Sequence, residues 1–223
     1  GDAAPLVAYL DAQCARVERC ASFLHLHVGI DAAGLPTSPS EAFPAQWAAL
    51  DDWERGVDAP RNLVLVSMAS MLDASLAPEG CHVIHAYVPA TEPFADWEQF
   101  LTDGGYQSPA YREAKDQAVE VLWRAIERYV PDVRQRVKVA LPATPLTHRR
   151  FNRRDAGTYG PFLPATEGQL MGHSTPLDGF YVCGDSTFPG IGVPAVAASG
   201  MITAHSILDV QTHWANLDKL RIR

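Results

Sequence analysis

The amino-acid sequence predicts a mixed α/β protein. Its 223 residues are 47% apolar and 20% charged, a composition typical of globular proteins that excludes disorder, collagen and coiled coil. Segments rich in β-branched residues and bounded by Gly or Pro alternate with segments of helical period. A chain of this length buries roughly 70% of its unfolded surface, which is enough for one or two domains.

A helix and a strand are predicted first along the chain. Residues 6–17 carry Leu and Val at helical spacing, and residues 22–30 alternate apolar with polar or small side chains, as in a half-buried strand. Residues 31–46 are rich in Gly, Pro and Ser and predict a loop. Residues 62–67 and 82–88 predict two further strands.

The longest predicted helix covers residues 109–129. Residues 72–80 predict a turn between the two preceding strands. At the start of the helix, Ser108 provides a cap and Pro109 suits the first turn. Its apolar residues form one stripe, and Pro131 ends it.

Four further segments complete the predicted order. Residues 133–141 predict a strand, and residues 144–160 predict a long polar connection. Residues 180–183 predict a short buried strand, and residues 194–210 predict a helix that starts with Pro in its first turn.

The charge distribution restricts the possible partners. A net charge of −8 and a pI near 5.4 argue against a nucleic-acid or anionic-membrane surface. The only basic cluster, Arg149, Arg150, Arg153 and Arg154, is short and is expected to be solvated or paired within the chain. No apolar stretch has the roughly 18 residues that a membrane span needs.

No metal site is predicted. His25 and His27 share one face of a predicted strand, and His82 lies near His85, but the spacing supplies no third ligand, so core or hydrogen-bonded histidines are favoured. The four cysteines lack C-x-x-C spacing, which favours buried thiols in a reducing compartment.

The first five residues resemble neither a signal peptide nor a transit peptide. They also lack an initiating Met. We therefore expect that the chain begins inside a longer gene product.

The most informative segment follows the predicted strand at residues 180–183. The Gly184-Asp185 pair leads into a Gly-rich loop and then into a helix with small first residues, where amide groups and the positive end of the helix dipole stabilise negative charge. The pattern Gly190-x-Gly192-x-x-Ala195 matches a dinucleotide fingerprint only loosely, because no βαβ unit follows it. A plain turn between a core strand and a packed helix remains the alternative.

This segment resembles the carboxy-terminal flavin motif of the carotenoid isomerase and phytoene desaturase-related flavoproteins, the prolycopene isomerase-like family. Similar blocks, covering residues 22–206, are SFLHLHVGID at 22–31, DWERG at 52–56, LDASLAP at 72–78, HAYVPATEP at 85–93, TPLTH at 144–148 and GTYG at 157–160. The family's amino-terminal βαβ unit with G-x-G-x-x-G is missing from these 223 residues.

The resemblance implies the carboxy-terminal half of a two-domain, FAD-dependent amine-oxidase or desaturase-like fold. Residues 1–165 would be a substrate-domain-like mixed sheet with helices, and residues 166–223 would return to the flavin-binding domain. FAD is the implied cofactor, with Asp185 accepting a hydrogen bond from the ribityl chain and Gly184 allowing close backbone approach. The isoalloxazine edge would lie against Gly192, Val193, Pro194 and Ala195.

Two classes of function follow from the resemblance. The first is a plastid carotenoid isomerase that uses reduced FAD to isomerise a polyene. The second is a non-catalytic binding or scaffolding subunit of a larger plastid pigment–protein assembly such as a photosystem. No residue is assigned as catalytic. Because the pyrophosphate-binding half is absent, this chain alone is expected to be inactive and free of flavin.

The expected partners are a polyene and a protein that covers the missing half, with no nucleic acid and no transmembrane span. Peripheral association with a membrane is compatible with this reading. Contacts to a protein partner are expected at residues 184–208 and at Trp47, Trp53 and Trp97, because aromatic residues are common in interfaces. The alternative for each tryptophan is a core anchor.

Overall fold

The computed structural model describes residues 3–102 and 105–221, and it confirms the α/β class. The strands are β1 (Glu18–Arg19), β2 (Ser22–Asp31), β3 (Gln46–Leu50), β4 (Leu63–Ser67), β5 (Cys81–Glu92), β6 (Val137–Ala143) and β7 (Pro161–Phe162). The helices are α1 (Ala4–Ala15), α2 (Ala95–Glu98), α3 (Pro109–Ala118), α4 (Glu120–Glu127), α5 (Val133–Arg136), α6 (Pro145–Asn152), α7 (Val193–Ile207) and α8 (Val210–Leu220). Short 3-10 turns cover Ala69–Met71, Ala74–Leu76, Gln99–Leu101, Gly105–Gln107, Asp155–Gly157 and Ala165–Glu167.

Five strands form one antiparallel sheet in the order β3-β4-β5-β2-β6. The strands β2 and β5 are the longest, and they pair along most of their length at the centre of the sheet. A separate two-stranded sheet joins β1 to β7. The central β2–β5 pair therefore has the longest run of strand pairing in the sheet.

One face of the five-stranded sheet packs on the hydrophobic core. Leu24, Leu26 and Val28 of β2 are almost fully buried, and Leu122 and Ile126 of α4 are fully buried in the same cluster. Because successive strand residues point to opposite faces, His25 and His27 of β2 lie on the other face. The apolar alternation of β2 thus serves the core, as in other antiparallel sheets with one covered face.

The chain divides into two compact units. Ala21–Tyr159 contains the five-stranded sheet and its core. Gly1–Cys20 and Gly160–Arg223 together make the other unit, which contains β1, β7, α7 and α8. The sequence instead predicted domains over residues 1–165 and 166–223, and that division stays a prediction, because compact units need not be independent domains.

The predicted strand at residues 180–183 is wrong. In place of a strand, this segment has an isolated bridge between Ser174 and Tyr181, a backbone hydrogen bond from Val182 N to the His173 carbonyl at 2.9 Å, and a turn bond from Phe180 N to the Leu177 carbonyl at 3.0 Å. A continuous apolar run alone does not distinguish a strand from an extended loop, because a strand also needs a partner along its whole length.

Other segments also differ from the sequence predictions. The predicted strand over residues 133–141 is wrong for its first four residues, which form α5, and β6 begins only at Val137. The strand β3 was missed, because residues 46–50 follow a Pro-rich and Ser-rich loop and pair only with the distant β4. The predicted polar connection contains α6, which begins with a capping box between Thr144 and Thr147. The predicted helix over residues 109–129 is interrupted at Val119, which separates α3 from α4.

The tryptophans have different environments. Trp97 is 2% exposed and is a core anchor, whereas Trp53 is 82% exposed. Trp47 is half-buried, and its indole N–H donates to the Ala125 carbonyl at 2.9 Å. The expectation of an interface is therefore wrong for Trp97, whose side chain is almost completely enclosed.

The basic cluster and the cysteines are surface features. Arg154 donates to the Tyr159 carbonyl at 2.8 Å, which confirms pairing within the chain. No disulfide joins the four cysteines, but Cys14 and Cys183 are exposed, so the expectation of buried thiols is wrong for these two. Among the described residues, no helix combines the length and apolar character that crossing a bilayer requires.

Candidate functional site

The segment that resembles the flavin motif is a loop joined to a long helix. The predicted site residues Gly184, Asp185, Gly192, Val193, Pro194 and Ala195 all lie on this loop or in the first turn of α7. The helix begins at Val193, within one residue of the predicted start, because Pro194 fits a first helical turn. The sequence therefore located the helix start correctly, although the strand expected before the loop is absent.

Hydrogen bonds tie the start of the loop to the middle of α7. The Gly184 backbone N–H donates to Ser199 Oγ at 3.0 Å, and the Thr187 hydroxyl donates to the Gly184 carbonyl at 2.8 Å. The hydroxyls of Thr187 and Ser199 are 2.7 Å apart, and both residues are buried. This arrangement satisfies buried polar groups and fixes Gly184 against the helix.

Gly184 and Gly192 adopt backbone conformations that favour glycine. Their φ angles are +122° and +101°. A Cβ built on either residue meets no other atom within 4 Å. The space beside both glycines is therefore open, so a planar group can approach the backbone there, and any larger residue would occupy that space.

The first turn of α7 provides an environment for negative charge. The first amides of a helix have no partner within the helix, and the dipole places positive potential there. The helix is 15 residues long, and Val193 is 80% exposed at its start. Asp185 is half-buried in the preceding loop, and its Oδ1 accepts a hydrogen bond from the Ser186 hydroxyl at 3.3 Å. The donor and acceptor types present are those that the ribityl chain and the pyrimidine end of a flavin require, so these residues fit that part of the group.

A second cluster of polar side chains lies on the face of the five-stranded sheet opposite the core. His27 of β2 is directly opposite His85 of β5, and His25 lies two residues away on the same face. His25 Nδ1 is 2.8 Å from His85 Nε2. One imidazole nitrogen from each of the three residues lies within 4.8 Å of the others. The sequence analysis missed the third histidine because strand register is not visible in the spacing of either segment.

Aromatic rings pack around these histidines. Phe23 stacks on His25 with centroids 5.1 Å apart, and Tyr87 stacks on His85 with centroids 4.9 Å apart. His148, from α6, lies 5.0 Å from His25 between ring centroids. The Nε2 atom of His148 is buried without a hydrogen-bond partner among the described residues. The cluster is thus four imidazoles held between two aromatic rings.

Burial keeps these imidazoles neutral. Burial, together with the neighbouring His148, His85 and His27, lowers the pKa of His25 to about 3. Burial and the neighbouring His27 lower the pKa of His85 to about 4, and burial also lowers the pKa of His27. Burial and the nearby Arg154 also lower the pKa of His148. Neutral imidazole is the form that can accept a proton or bind a metal ion.

His82 is not part of this cluster. It lies on the core face, where its Nε2 is 3.0 Å from the Pro36 carbonyl and its Nδ1 is 2.9 Å from the Ser70 hydroxyl. Because a carbonyl only accepts, Nε2 carries the proton and Nδ1 accepts from Ser70. His82 is therefore the hydrogen-bonded core histidine that the sequence favoured.

Comparisons with known proteins identify the family. No protein-family model matches the chain. A prolycopene isomerase from Arabidopsis thaliana is 36% identical over 190 residues, which are 83% of this chain and 30% of that protein. The chain belongs to the prolycopene isomerase family. A second member of the family, from Daucus carota, is 35% identical over 83% of this chain and 29% of that protein.

The chain spans about 30% of the length of the prolycopene isomerases that it matches. The matched region is their distal part, which agrees with the predicted carboxy-terminal origin. Both plant proteins are chloroplastic by name. A mouse protein, pyridine nucleotide-disulfide oxidoreductase domain-containing protein 2, is 25% identical over 71% of this chain and 27% of its own length.

A solved structure of an oxidoreductase from Methanosarcina mazei covers 90% of this chain and 37% of its own chain. It has a TM-score of 0.42 and 17% identity. These values are too low to establish a shared fold.

Proposed function

We propose that this chain is the distal portion of a plastid flavoprotein that isomerises a polyene. The observation that carries the proposal is the open backbone surface at Gly184, at the start of the loop, and at Gly192, directly before α7. The family relationship supports it, because the plant relatives are named as chloroplastic prolycopene isomerases. We propose that the complete protein containing this chain also acts on a polyene, is located in the plastid and binds FAD.

The chain's own residues would hold the ring and ribityl end of the cofactor. When bound, reduced FAD supplies electrons for a reversible change in polyene bond order with no net oxidation. Asp185 would accept a hydrogen bond from a ribityl hydroxyl, and Gly184 and Gly192 would allow the ring edge to approach the backbone. The first amides of α7 would stabilise negative charge at the pyrimidine end. The pyrophosphate would require the amino-terminal βαβ unit, so we propose that these 223 residues do not catalyse the reaction alone.

The exposed aliphatic side chains of β6 form the proposed polyene surface. Val139 and Leu141 of β6 are 49% and 60% exposed, and in the sheet register they lie opposite Gly29 and His27 of β2. Packing a long hydrocarbon on these side chains removes apolar surface from water without desolvating a charged group.

Binding to a protein partner in a larger plastid assembly is the second candidate function. The helices α7 and α8 expose several large apolar side chains. These are Val193, Met201, Ile207, Val210, Trp214 and Leu220, each at least 49% exposed. Such a density of exposed apolar residues is typical of interaction surfaces, including those that contact a missing domain or a membrane edge. If purified chain sediments as a compact monomer at micromolar concentration, the partner function is wrong, whereas self-association relieved by a co-expressed partner supports it.

The isomerase function is tested in a chimera. This chain replaces the matching distal segment of the Arabidopsis relative, and purified chimera is assayed anaerobically for FAD content and for conversion of prolycopene by absorbance and chromatography. Retention of FAD with isomerisation supports the proposal. A folded chimera that retains FAD but leaves prolycopene unchanged contradicts the polyene function. A folded chimera without FAD contradicts the assignment of residues 184–195.

A further inference from the structure

We propose that His25, His27 and His85 form a binding site for a divalent transition-metal ion of the zinc class. The site lies on the face of the five-stranded sheet opposite the core. It goes beyond the proposed isomerase function, since nothing in that function calls for a metal.

The backbone places the three imidazoles at suitable separations. Alternate residues of a strand lie about 6.6 Å apart on one face, and directly opposed residues of antiparallel strands have Cβ atoms about 5 Å apart. His25 and His27 satisfy the first relation, and His27 and His85 satisfy the second. Three imidazoles from two rigid neighbouring strands are therefore presented to one point above the sheet.

The nitrogen positions are close to those of a metal site. Tetrahedral zinc with nitrogen ligands at 2.0–2.1 Å separates those ligands by about 3.3 Å. In this chain one ring nitrogen of each histidine lies within 4.8 Å of the others, and His25 Nδ1 is at hydrogen-bond distance, 2.8 Å, from His85 Nε2. Binding an ion would replace this hydrogen bond and would require the side chains to rotate to tetrahedral spacing.

The donor set selects the class of ion. Three imidazoles without a carboxylate favour zinc, copper, nickel or cobalt over calcium and magnesium, which prefer oxygen ligands. Metal ligation requires neutral imidazole, so binding should weaken as the pH falls. Three-histidine sites with an open fourth position are an established zinc geometry.

The surroundings organise the site and leave it accessible. Phe23 and Tyr87 stack on the rings of His25 and His85. His27 is exposed, so an ion can enter from solvent. His148 packs beside His25 with ring centroids 5.0 Å apart, but it is not one of the three histidines whose ring nitrogens lie within 4.8 Å of one another.

The test is a titration of chelator-treated chain with Co²⁺, followed by competition with Zn²⁺. We expect visible d–d absorption bands that saturate at one Co²⁺ per chain and disappear when Zn²⁺ is added. The His27→Gln variant changes an exposed side chain, so it should fold, and it should weaken binding by at least about 10-fold. The matched control is His205→Gln, because His205 is exposed on α7 and lies in another histidine pair, 3.2 Å from His213.

Nitrogen-15 NMR of the imidazole rings in the unsubstituted chain gives a second readout that needs no variant. Zn²⁺ should shift the ring nitrogens of His25, His27 and His85. If no Co²⁺ bands form, if His27→Gln binds as tightly as the unsubstituted chain, or if only His205 and His213 shift, the proposal is wrong. No flavin or polyene is present in either measurement, so failure here leaves the isomerase proposal untouched, and the reverse also holds.

Discussion

His27 and His85 lie directly opposite each other across β2 and β5, with ring planes 4° apart and centroids 4.2 Å apart. The stacked pair brings together two distant segments of the chain. His25, in the same cluster, is 60 residues from His85 in the sequence. The pairing places neutral, desolvated imidazoles on a surface that also exposes aliphatic side chains. The chemistry of this face therefore depends on strand register.

The histidine cluster should make stability depend on pH. Unfolded His25 takes up a proton near its ordinary pKa of about 6.5, whereas burial and its histidine neighbours lower the pKa in the folded chain to about 3. Between these values the unfolded state binds more protons, so the free energy of unfolding falls as the pH falls, by up to about 1.4 kcal/mol per pH unit for one histidine.

Urea unfolding of the unsubstituted chain and of His25→Gln at several pH values from 7 to 4 measures this effect. The substituted chain should show the shallower decline, because carboxylates titrate equally in both proteins. His205→Gln controls for loss of an imidazole from an exposed helix position. Equal slopes for the unsubstituted chain and His25→Gln would contradict the assignment of neutral His25.

A buried ion pair should contribute strongly to the stability of the sheet unit. Glu92 is fully buried and accepts hydrogen bonds from Arg61 Nε at 2.9 Å and from the Trp97 indole N–H at 2.7 Å. Glu92→Ala removes the acceptor of the Trp97 indole and leaves Arg61 paired only with the exposed Asp96 at 3.2 Å, so we expect a loss of about 3 kcal/mol in the free energy of unfolding.

The control is Arg134→Ala, whose ion pairs with Glu120 and Glu127 are exposed. Its cost should be at most about 1 kcal/mol, because water screens such pairs. Denaturant unfolding compares the two variants. Equal losses would mean that burial of Glu92 does not determine the strength of its pairing.

Alanine substitutions of Gly192 and Gly200 should change the stability of the chain in opposite directions. Gly192 has a φ of +101°, where an L side chain is strained, so Gly192→Ala should destabilise the chain by about 1–3 kcal/mol. Gly200 lies inside α7 with open space at its Cβ position, so Gly200→Ala should stabilise it by about 0.5–1 kcal/mol. Thermal unfolding of both variants is the measurement, and a stabilising Gly192→Ala would contradict the loop conformation.

Asp185 should matter for flavin retention in the chimera with the Arabidopsis relative. Asp185→Ala removes the proposed acceptor for a ribityl hydroxyl, so FAD binding should weaken by about 1–3 kcal/mol, or roughly 5-fold to 150-fold. The exposed Asp178→Ala serves as the control for loss of a carboxylate outside the loop. Fluorescence titration of apo-chimera with FAD gives both affinities, and an unchanged affinity for Asp185→Ala would exclude this role.

Local sequence signals predicted the elements that are determined locally. Pro194 located the start of α7, and the alternation at residues 22–30 located β2, because capping and period are properties of neighbouring residues. The strand β3 and the third histidine were missed because both depend on pairing between distant segments. Residues 180–183 are an apolar run, but within the described part of the chain they form a single bridge instead of pairing along a neighbouring strand.

The central claim is that residues 184–195 contact the ring and ribityl chain of a flavin. It is tested most directly by amide NMR of this chain during an anaerobic titration with reduced flavin mononucleotide at millimolar concentration. This probe contains the ring and the ribityl chain but no adenosine, so binding should be weak and in fast exchange. The account predicts shifts confined to the amides of Gly184, Asp185, Gly192, Val193 and Ala195 and their neighbours. Shifts at other positions only, or none at saturating concentration, would contradict it.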